Sequence, residues 1–135
     1  MDDKDRYQRG WERLEEMDPG AASELTDRLK DIAPDFARYI MEFPFGSIYT
    51  RPGLDWKSRE LAVVAALTAL GSAAPQLKEH LHRALRAGWT RQELVEVIMQ
   101  MSVYAGVPAA LNAIAVAKEA FKEHDESRKT LIRYK

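Results

Sequence analysis

The sequence predicts an all-α domain of about six to seven helices, and three observations carry that reading. Apolar residues recur at helical spacing along most of the 135 residues. Gly and Pro cut the chain into helix-sized pieces. No stretch alternates with the period of a strand, and no internal repeat is present. The length suits one domain with a core that needs no staples. The helical domain is expected over residues 1–124, followed by a polar, mobile C-terminal tail over 125–135.

Taken in order, a first amphipathic helix is expected over about residues 3–16, where Tyr7, Trp11 and Leu14 share a face. Asp18-Pro19 reads as an N-cap followed by Pro at the first helical position. The second helix then carries Leu25 and Leu29. A third begins near Pro34, with Phe36, Tyr39 and Ile40 apolar, and fades near Pro44. Residues 43–55 are breaker-rich and read as one long irregular segment, a length often tied to function.

Asp55 caps a fourth helix over residues 56–70, stopped by Gly71. Its stretch from Leu61 to Leu67 is apolar on every face, which predicts burial all round, in a core or between subunits. Pro75 opens a fifth helix that ends before Gly88. Thr90-Arg91-Gln92-Glu93 has the spacing of a capping box. The sixth helix behind it shows Leu94, Val97, Ile98, Met101 and Ala105 on one stripe. Gly106 ends it and Pro108 starts a seventh, where Ala109, Ala110, Ala113, Ala117 and Ala120 permit close backbone approach. In the polar end, Leu131, Ile132 and Tyr134 are the groups able to dock on a neighbour.

Composition narrows the function. There is no cysteine, which removes disulfides, thiolate metal sites and a Cys nucleophile, and fits a reducing cytoplasm. Twenty basic against 21 acidic residues give a net charge of -1, against a general nucleic-acid binder. Helices five and six resemble a helix-turn-helix, but the second offers Glu93, Glu96 and apolar groups where a recognition helix offers Arg, Lys, Asn or Gln. The polar stretch Met1–Arg6 does not read as a secretory leader. The longest apolar run, residues 61–70, is about half the ~20 residues of a membrane span.

Glu60 is the first candidate for chemistry, because it directly precedes the most apolar run. Burial disfavours a charged carboxyl, so Glu60 can serve as a proton donor; the alternative is a salt bridge with Arg59 or Arg51. His80 and His82 are i, i+2 on a helix and point about 200° apart, so they cannot grip one metal together. One is expected to face the core and one the solvent. The inward one is either a satisfied core residue or an acid, base or oxyanion donor. Arg51, in the breaker-rich loop, is either a loop anchor or a clamp for a substrate carboxylate. Phe43, Phe45, Tyr49, Trp56 and Tyr104 either line a pocket or fill the core.

Several strings fall in a familiar order. They are Arg6-Tyr7-Gln8-Arg9-Gly10, Phe45-Gly46-Ser47-Ile48-Tyr49-Thr50-Arg51-Pro52-Gly53-Leu54, Ser58-Arg59-Glu60-Leu61 and His80-Leu81-His82-Arg83-Ala84-Leu85. Gly88, Thr90, Glu93-Leu94 and Tyr104-Ala105-Gly106-Val107-Pro108-Ala109-Ala110 follow. Together, over roughly residues 5–122, the chain resembles the gamma-carboxymuconolactone decarboxylase family, within the alkylhydroperoxidase-like group. The resemblance implies an alkylhydroperoxidase-like helical bundle and a homo-oligomer, commonly a hexameric ring, with a pocket near a subunit interface. It implies Glu60 and His80 as candidate catalytic residues and maps the family's loop arginine to Arg51; Arg51 is expected, with the aromatics Tyr49, Phe45 and Tyr104, to bind a small carboxylate or lactone substrate. No metal or organic cofactor, nucleic acid or membrane partner is implied.

Two departures qualify it. Redox members of the group carry a Cys-x-x-Cys beside the histidine; this chain has none, so thiol peroxidase chemistry is not expected. Decarboxylases of the group usually place tryptophans around the loop glycine, where this chain has Phe45 and Tyr49, and often a basic residue where it has Ser72-Ala73-Ala74-Pro75. The leading expectation is a cofactor-free decarboxylase of 4-carboxymuconolactone or a related carboxylated lactone in aromatic compound degradation. The alternatives are a non-catalytic oligomeric binder of a small acid and a cysteine-free oxidoreductase-like member.

Overall fold

The computed structural model describes residues 3–133, with side chains from 5 to 130; Tyr134 and the side chains of Leu131 and Ile132 lie outside the described residues. Seven α-helices follow one another: α1 Asp3–Met17, α2 Ala21–Leu29, α3 Pro34–Ile40, α4 Trp56–Leu70, α5 Ala74–Ala87, α6 Arg91–Ala105 and α7 Val107–Arg133. A π-helix, Met41–Ile48, continues directly from α3. There is no strand among the described residues. None of the described helices is long and apolar enough to cross a membrane. The contacts group into two compact units, Met1–Arg59 and Glu60–Lys135.

In the first unit, α1 packs on the π-helix. Leu14, Met17, Ala22, Met41 and Phe45 form the core, flanked by Tyr7, Trp11, Leu25, Tyr49 and Trp56. The two backbones approach so closely that glycine is required on both. A Cβ on Gly10 would lie 1.8 Å from the Met41 carbonyl oxygen, and one on Gly46 would lie 2.3 Å from the Arg6 carbonyl oxygen. The Arg6–Gly10 string and the loop glycine are therefore two halves of one packing device.

Two local expectations are corrected here. Much of the segment read as irregular, from Met41 to Ile48, is wound as a π-helix, and only the stretch after it lacks regular structure before α4. Pro44 has no N–H and interrupts α-helical bonding. The chain widens to accommodate it: the Tyr49 amide donates to the Pro44 carbonyl at 2.8 Å, five residues back. The start of α2 also differs. It follows Gly20, held at φ 90°, and the amides of Gly20 and Ala22 donate to the Glu15 carboxylate at 2.9 and 3.0 Å. A side chain from the preceding helix thus satisfies donors that Asp18 was expected to cap.

In the second unit, Val64 of α4, Leu77, Leu81 and Ala84 of α5, and Leu94 and Ile98 of α6 close around Ala110, Ala113, Ala117 and Ala120 of α7. The small alanine side chains let α7 lie against both α5 and α6. The capping box forms in full: the Glu93 amide donates to Thr90 Oγ1 at 3.1 Å, and the Thr90 amide donates to Glu93 Oε1 at 2.9 Å.

α4 is not buried all round in this chain. Glu60, Val64 and Thr68 form one buried face, while Ala62, Ala66, Ala69 and Leu70 are exposed. The apolar residues on the open side are mostly alanines, whose small side chains lose little by remaining in water. The polar C-terminal stretch begins inside a helix. α7 continues as helix to Arg133. Its charged groups find partners on the helices beside it, with Lys78 pairing with Glu119 and Glu123, and Arg91 with Asp125.

Candidate functional site

The helical periodicity of α4 carries Glu60 onto the buried side with Val64 and Thr68, at i, i+4 and i+8. Glu60 is 0% exposed, an unusual state for a carboxyl. Its Oε2 lies 2.7 Å from His80 Nδ1 on α5. Its Oε1 is buried and has no hydrogen-bond partner among the described residues. Arg59, the neighbouring cation, spends its guanidinium elsewhere: Nε donates to the Leu54 carbonyl at 3.0 Å and Nη2 to the Arg51 carbonyl at 3.4 Å. The carboxyl is thus paired with an imidazole and not with the adjacent arginine.

His80 and His82 diverge as their spacing requires, but both are half-buried and both have partners. His80 turns to α4. His82 turns to α7, its Nε2 3.2 Å from Glu123 Oε2. The Glu60–His80 pair can hold one proton in either of two places, on the carboxyl or on Nδ1, and the contact orients the ring. With Nδ1 engaged, Nε2 is the nitrogen left to meet a substrate. The pair can therefore donate to an oxyanion, move a proton, or do both.

The other expected residues occupy different settings. Phe45 is buried in the first unit's core, with its ring 5.4 Å from that of Tyr49. Packing accounts for both. Arg51 is exposed, and its guanidinium makes no ion pair or hydrogen bond with the described residues. Tyr104, at the end of α6, is 78% exposed.

Three features had no sequence signal strong enough to single them out. Thr68 is buried with its hydroxyl unpartnered among the described residues, at the wall of an apolar recess of about 40 Å³ between α4, α5 and α7. That volume is far below the several hundred Å³ of a typical ligand pocket, so the recess does not hold a lactone by itself. Glu42, inside the π-helix, is buried between Arg6 and Arg38, at 3.1 and 3.2 Å. It borders an open groove of about 780 Å³ that also touches Tyr7, Asp35 and Tyr39. Finally, His124 on α7 sits beside His82, with ring centroids 6.5 Å apart. Such partners come from distant parts of the chain, and their charge patterns are ordinary when read in one dimension.

The described residues form a helical fold in which a buried carboxyl meets an imidazole at 2.7 Å, in a chain without cysteine. The comparisons narrow the reading. The model of the carboxymuconolactone decarboxylase family matches residues 34–119. The chain is 37% identical over 124 residues to a 4-carboxymuconolactone decarboxylase of Acinetobacter baylyi, covering 91% of this chain and 92% of that protein. It is 37% identical over 99 residues to an uncharacterized 15.0 kDa protein of Paracoccus denitrificans, covering 73% and 74%. It is 31% identical over 85 residues to a nitrosuccinic acid decarboxylase of Metarhizium robertsii, covering 62% and 58%. The chain belongs to the carboxymuconolactone decarboxylase family.

Proposed function

We propose that this protein is a cofactor-free decarboxylase acting on 4-carboxymuconolactone or a related carboxylated lactone, with Glu60 and His80 as its catalytic residues. The observation that carries the reading is the buried Glu60–His80 contact at 2.7 Å, with one carboxyl oxygen left over. Two of the relatives bear the names of decarboxylases, one of them of a carboxymuconolactone over nearly the whole chain.

The chemistry asks little of the protein. The bond between the ring carbon and the departing carboxylate breaks, CO2 leaves, and the electron pair spreads into the lactone carbonyl. His80 donates a hydrogen bond to the oxyanion that forms. Glu60, protonated, delivers a proton to carbon, and the product is the lactone with one carboxylate fewer. The 2.7 Å contact lets the two residues exchange that proton, so the roles are also open to reversal. Arg51, whose guanidinium makes no ion pair with the described residues, would hold a remaining carboxylate as a bidentate fork. Tyr104, exposed at the end of α6, would supply an apolar wall that desolvates the departing group. The absence of cysteine fits a reducing cytoplasm, and the proposed substrate class puts the enzyme in aromatic compound degradation.

Met99, Val103, Tyr104, Val107 and Leu111 are exposed apolar residues near the junction of α6 and α7. That surface supports a homo-oligomer, with a hexamer as the form to test; native mass should read a multiple of 15.4 kDa. The activity is tested by CO2 release from 4-carboxymuconolactone by the wild type, Glu60→Gln and His80→Ala. Turnover by the wild type that collapses in both variants supports the reading. Wild-type rates in both variants remove the site assignment, and saturable binding without turnover by the wild type replaces the enzyme with a binder.

A further inference from the structure

Helices α5 and α7 face each other through a ladder of charged side chains that advances in the same direction on both. On the first rung, Lys78 Nζ meets Glu119 at 3.2 Å and Glu123 at 3.0 Å. One turn on, His82 Nε2 meets Glu123 at 3.2 Å, and its ring lies beside that of His124. One further turn brings Arg86 on α5 and Arg128 on α7, each four residues beyond its histidine and on the same face. The first rung pairs opposite charges. The last register position holds an arginine on each helix, Arg86 and Arg128.

The start of α6 brings a third arginine to this end of the ladder. Arg91 pairs with Asp125 and lies over the Phe121 ring, 5.4 Å from its centroid. It is thereby held beside His124. The acids here are already engaged, Glu123 with Lys78 and His82, and Asp125 with Arg91. Arg86 and Arg128 have no ion pair or hydrogen bond among the described residues. Arg86 gains some support from its place in the last turn of α5. Arg128 sits well inside the longer α7 and gains none of that kind. Like charges brought to one end of a helix pair cost stability, and an anion would offset that cost.

We propose that Arg86, Arg91 and Arg128, gathered around His124, form a binding site for a small multivalent oxyanion of the phosphate type. The fork of each arginine suits a tetrahedral oxyanion, and His124 adds a further donor when protonated. Arg86 and Arg128, which have no ion pair among the described residues, would be neutralised by one dianion. The state of His124 agrees: burial, and then the nearby His82, Arg128, Arg91 and Arg86, hold its imidazole below the ordinary histidine range. A bound anion offsets those cations, so anion binding and proton uptake by His124 are coupled. This site is independent of the decarboxylase reading and does not share its residues.

The test is a titration of the wild-type protein with inorganic phosphate, against chloride at matched ionic strength, followed by NMR of the His124 imidazole. Saturable shifts are expected with phosphate and not with chloride, and the pH midpoint of His124 should move upward when phosphate is bound. Arg86→Ala and Arg128→Ala should each weaken phosphate binding by roughly tenfold, since each removes a charge-assisted contact. Both arginines are exposed, so the variants should fold as the wild type does. The proposal is overturned if His124 shows no saturable response, if chloride reproduces it, or if the double variant binds phosphate as tightly as the wild type.

Discussion

Glu60 Oε2 and His80 Nδ1 lie 2.7 Å apart, joining the buried face of α4 to α5, and the second oxygen of Glu60 is buried without a partner. A buried carboxyl usually has all its hydrogen-bonding capacity satisfied, because an unmade bond costs about 1–3 kcal/mol. The pair therefore has two separable consequences, one for chemistry and one for stability.

For chemistry, Glu60→Gln keeps the shape of the side chain and removes its ability to carry a proton. His80→Ala removes the oxyanion donor and the partner together. Each should lower kcat for CO2 release by about 10²–10⁴-fold, the usual contribution of a positioned acid or base. Stopped assays of CO2 or of lactone product check this. A loss in KM alone, with kcat intact, would assign the pair to binding instead of proton transfer.

For stability, His80→Ala strands Glu60 in the interior with neither oxygen paired. Urea unfolding should show the variant less stable by about 1–3 kcal/mol. Glu60→Gln should lose less, because an amide can still hydrogen-bond to Nδ1. If the order is reversed, the carboxyl is not satisfied by His80 in the way the contact implies.

Most of the helices were legible in the sequence, and the reasons are local. Pro75, Gly88 and the Thr90–Glu93 capping box act over one turn, and their geometry forms as the spacing predicts. The alanine stripe of α7 likewise needs only its own periodicity to announce a closely packed helix. What escaped depends on partners far away in the chain. Pro44 read as a breaker, yet packing against α1 holds the segment in a π-helix. Glu60 stood out because of the apolar run after it, but its pairing with His80 depended on how α4 and α5 meet. The partners of His82 and His124 are on separate helices, so their meeting left no mark on local composition.

Gly10 supplies a sharp test of that long-range packing. An added Cβ would come within 1.8 Å of the Met41 carbonyl oxygen, which belongs to a backbone and cannot rotate away. Gly10→Ala should destabilise the protein by about 3 kcal/mol or more, beyond the ordinary helix gain from replacing glycine by alanine. Gly20→Ala meets no neighbouring atom, and its penalty should come only from the φ of 90°. Thermal or urea unfolding of the two variants separates steric from conformational cost. Equal losses would refute the close approach of α1 to the π-helix.

The Thr90–Glu93 capping box predicts a smaller, local effect. Thr90→Ala removes the acceptor for the Glu93 amide at the start of α6 and should cost about 1 kcal/mol. Thr90→Ser retains the oxygen and should restore most of it. Hydrogen exchange should show the first turn of α6 opening more readily in the alanine variant while the Leu94–Ile98 core remains protected. Global loss of protection without preferential fraying would place the role of Thr90 elsewhere.

His124 gives the pH dependence its sign. Burial is the largest influence on its imidazole, followed by His82, Arg128, Arg91 and Arg86, and all of them disfavour the charged form. Its folded pKa is therefore below the ordinary value of about 6.5. Below that value the unfolded chain binds a proton that the folded chain resists, so stability falls with pH in this range. The contribution is present in full above the unfolded pKa and is lost as pH falls through it toward the folded one. Glu123 acts in a different window: Lys78 and then His82 hold its carboxyl below the usual range, so its contribution is lost only at more acidic pH. Lys78, raised by Glu123 and Glu119, changes only in alkaline solution. Unfolding free energies of the wild type and His124→Gln, measured from about pH 8 to about pH 5 without multivalent anions, isolate the effect. The wild type should lose stability relative to the variant as the pH falls, and a difference that stays constant across the range would show that His124 is not held neutral by its surroundings.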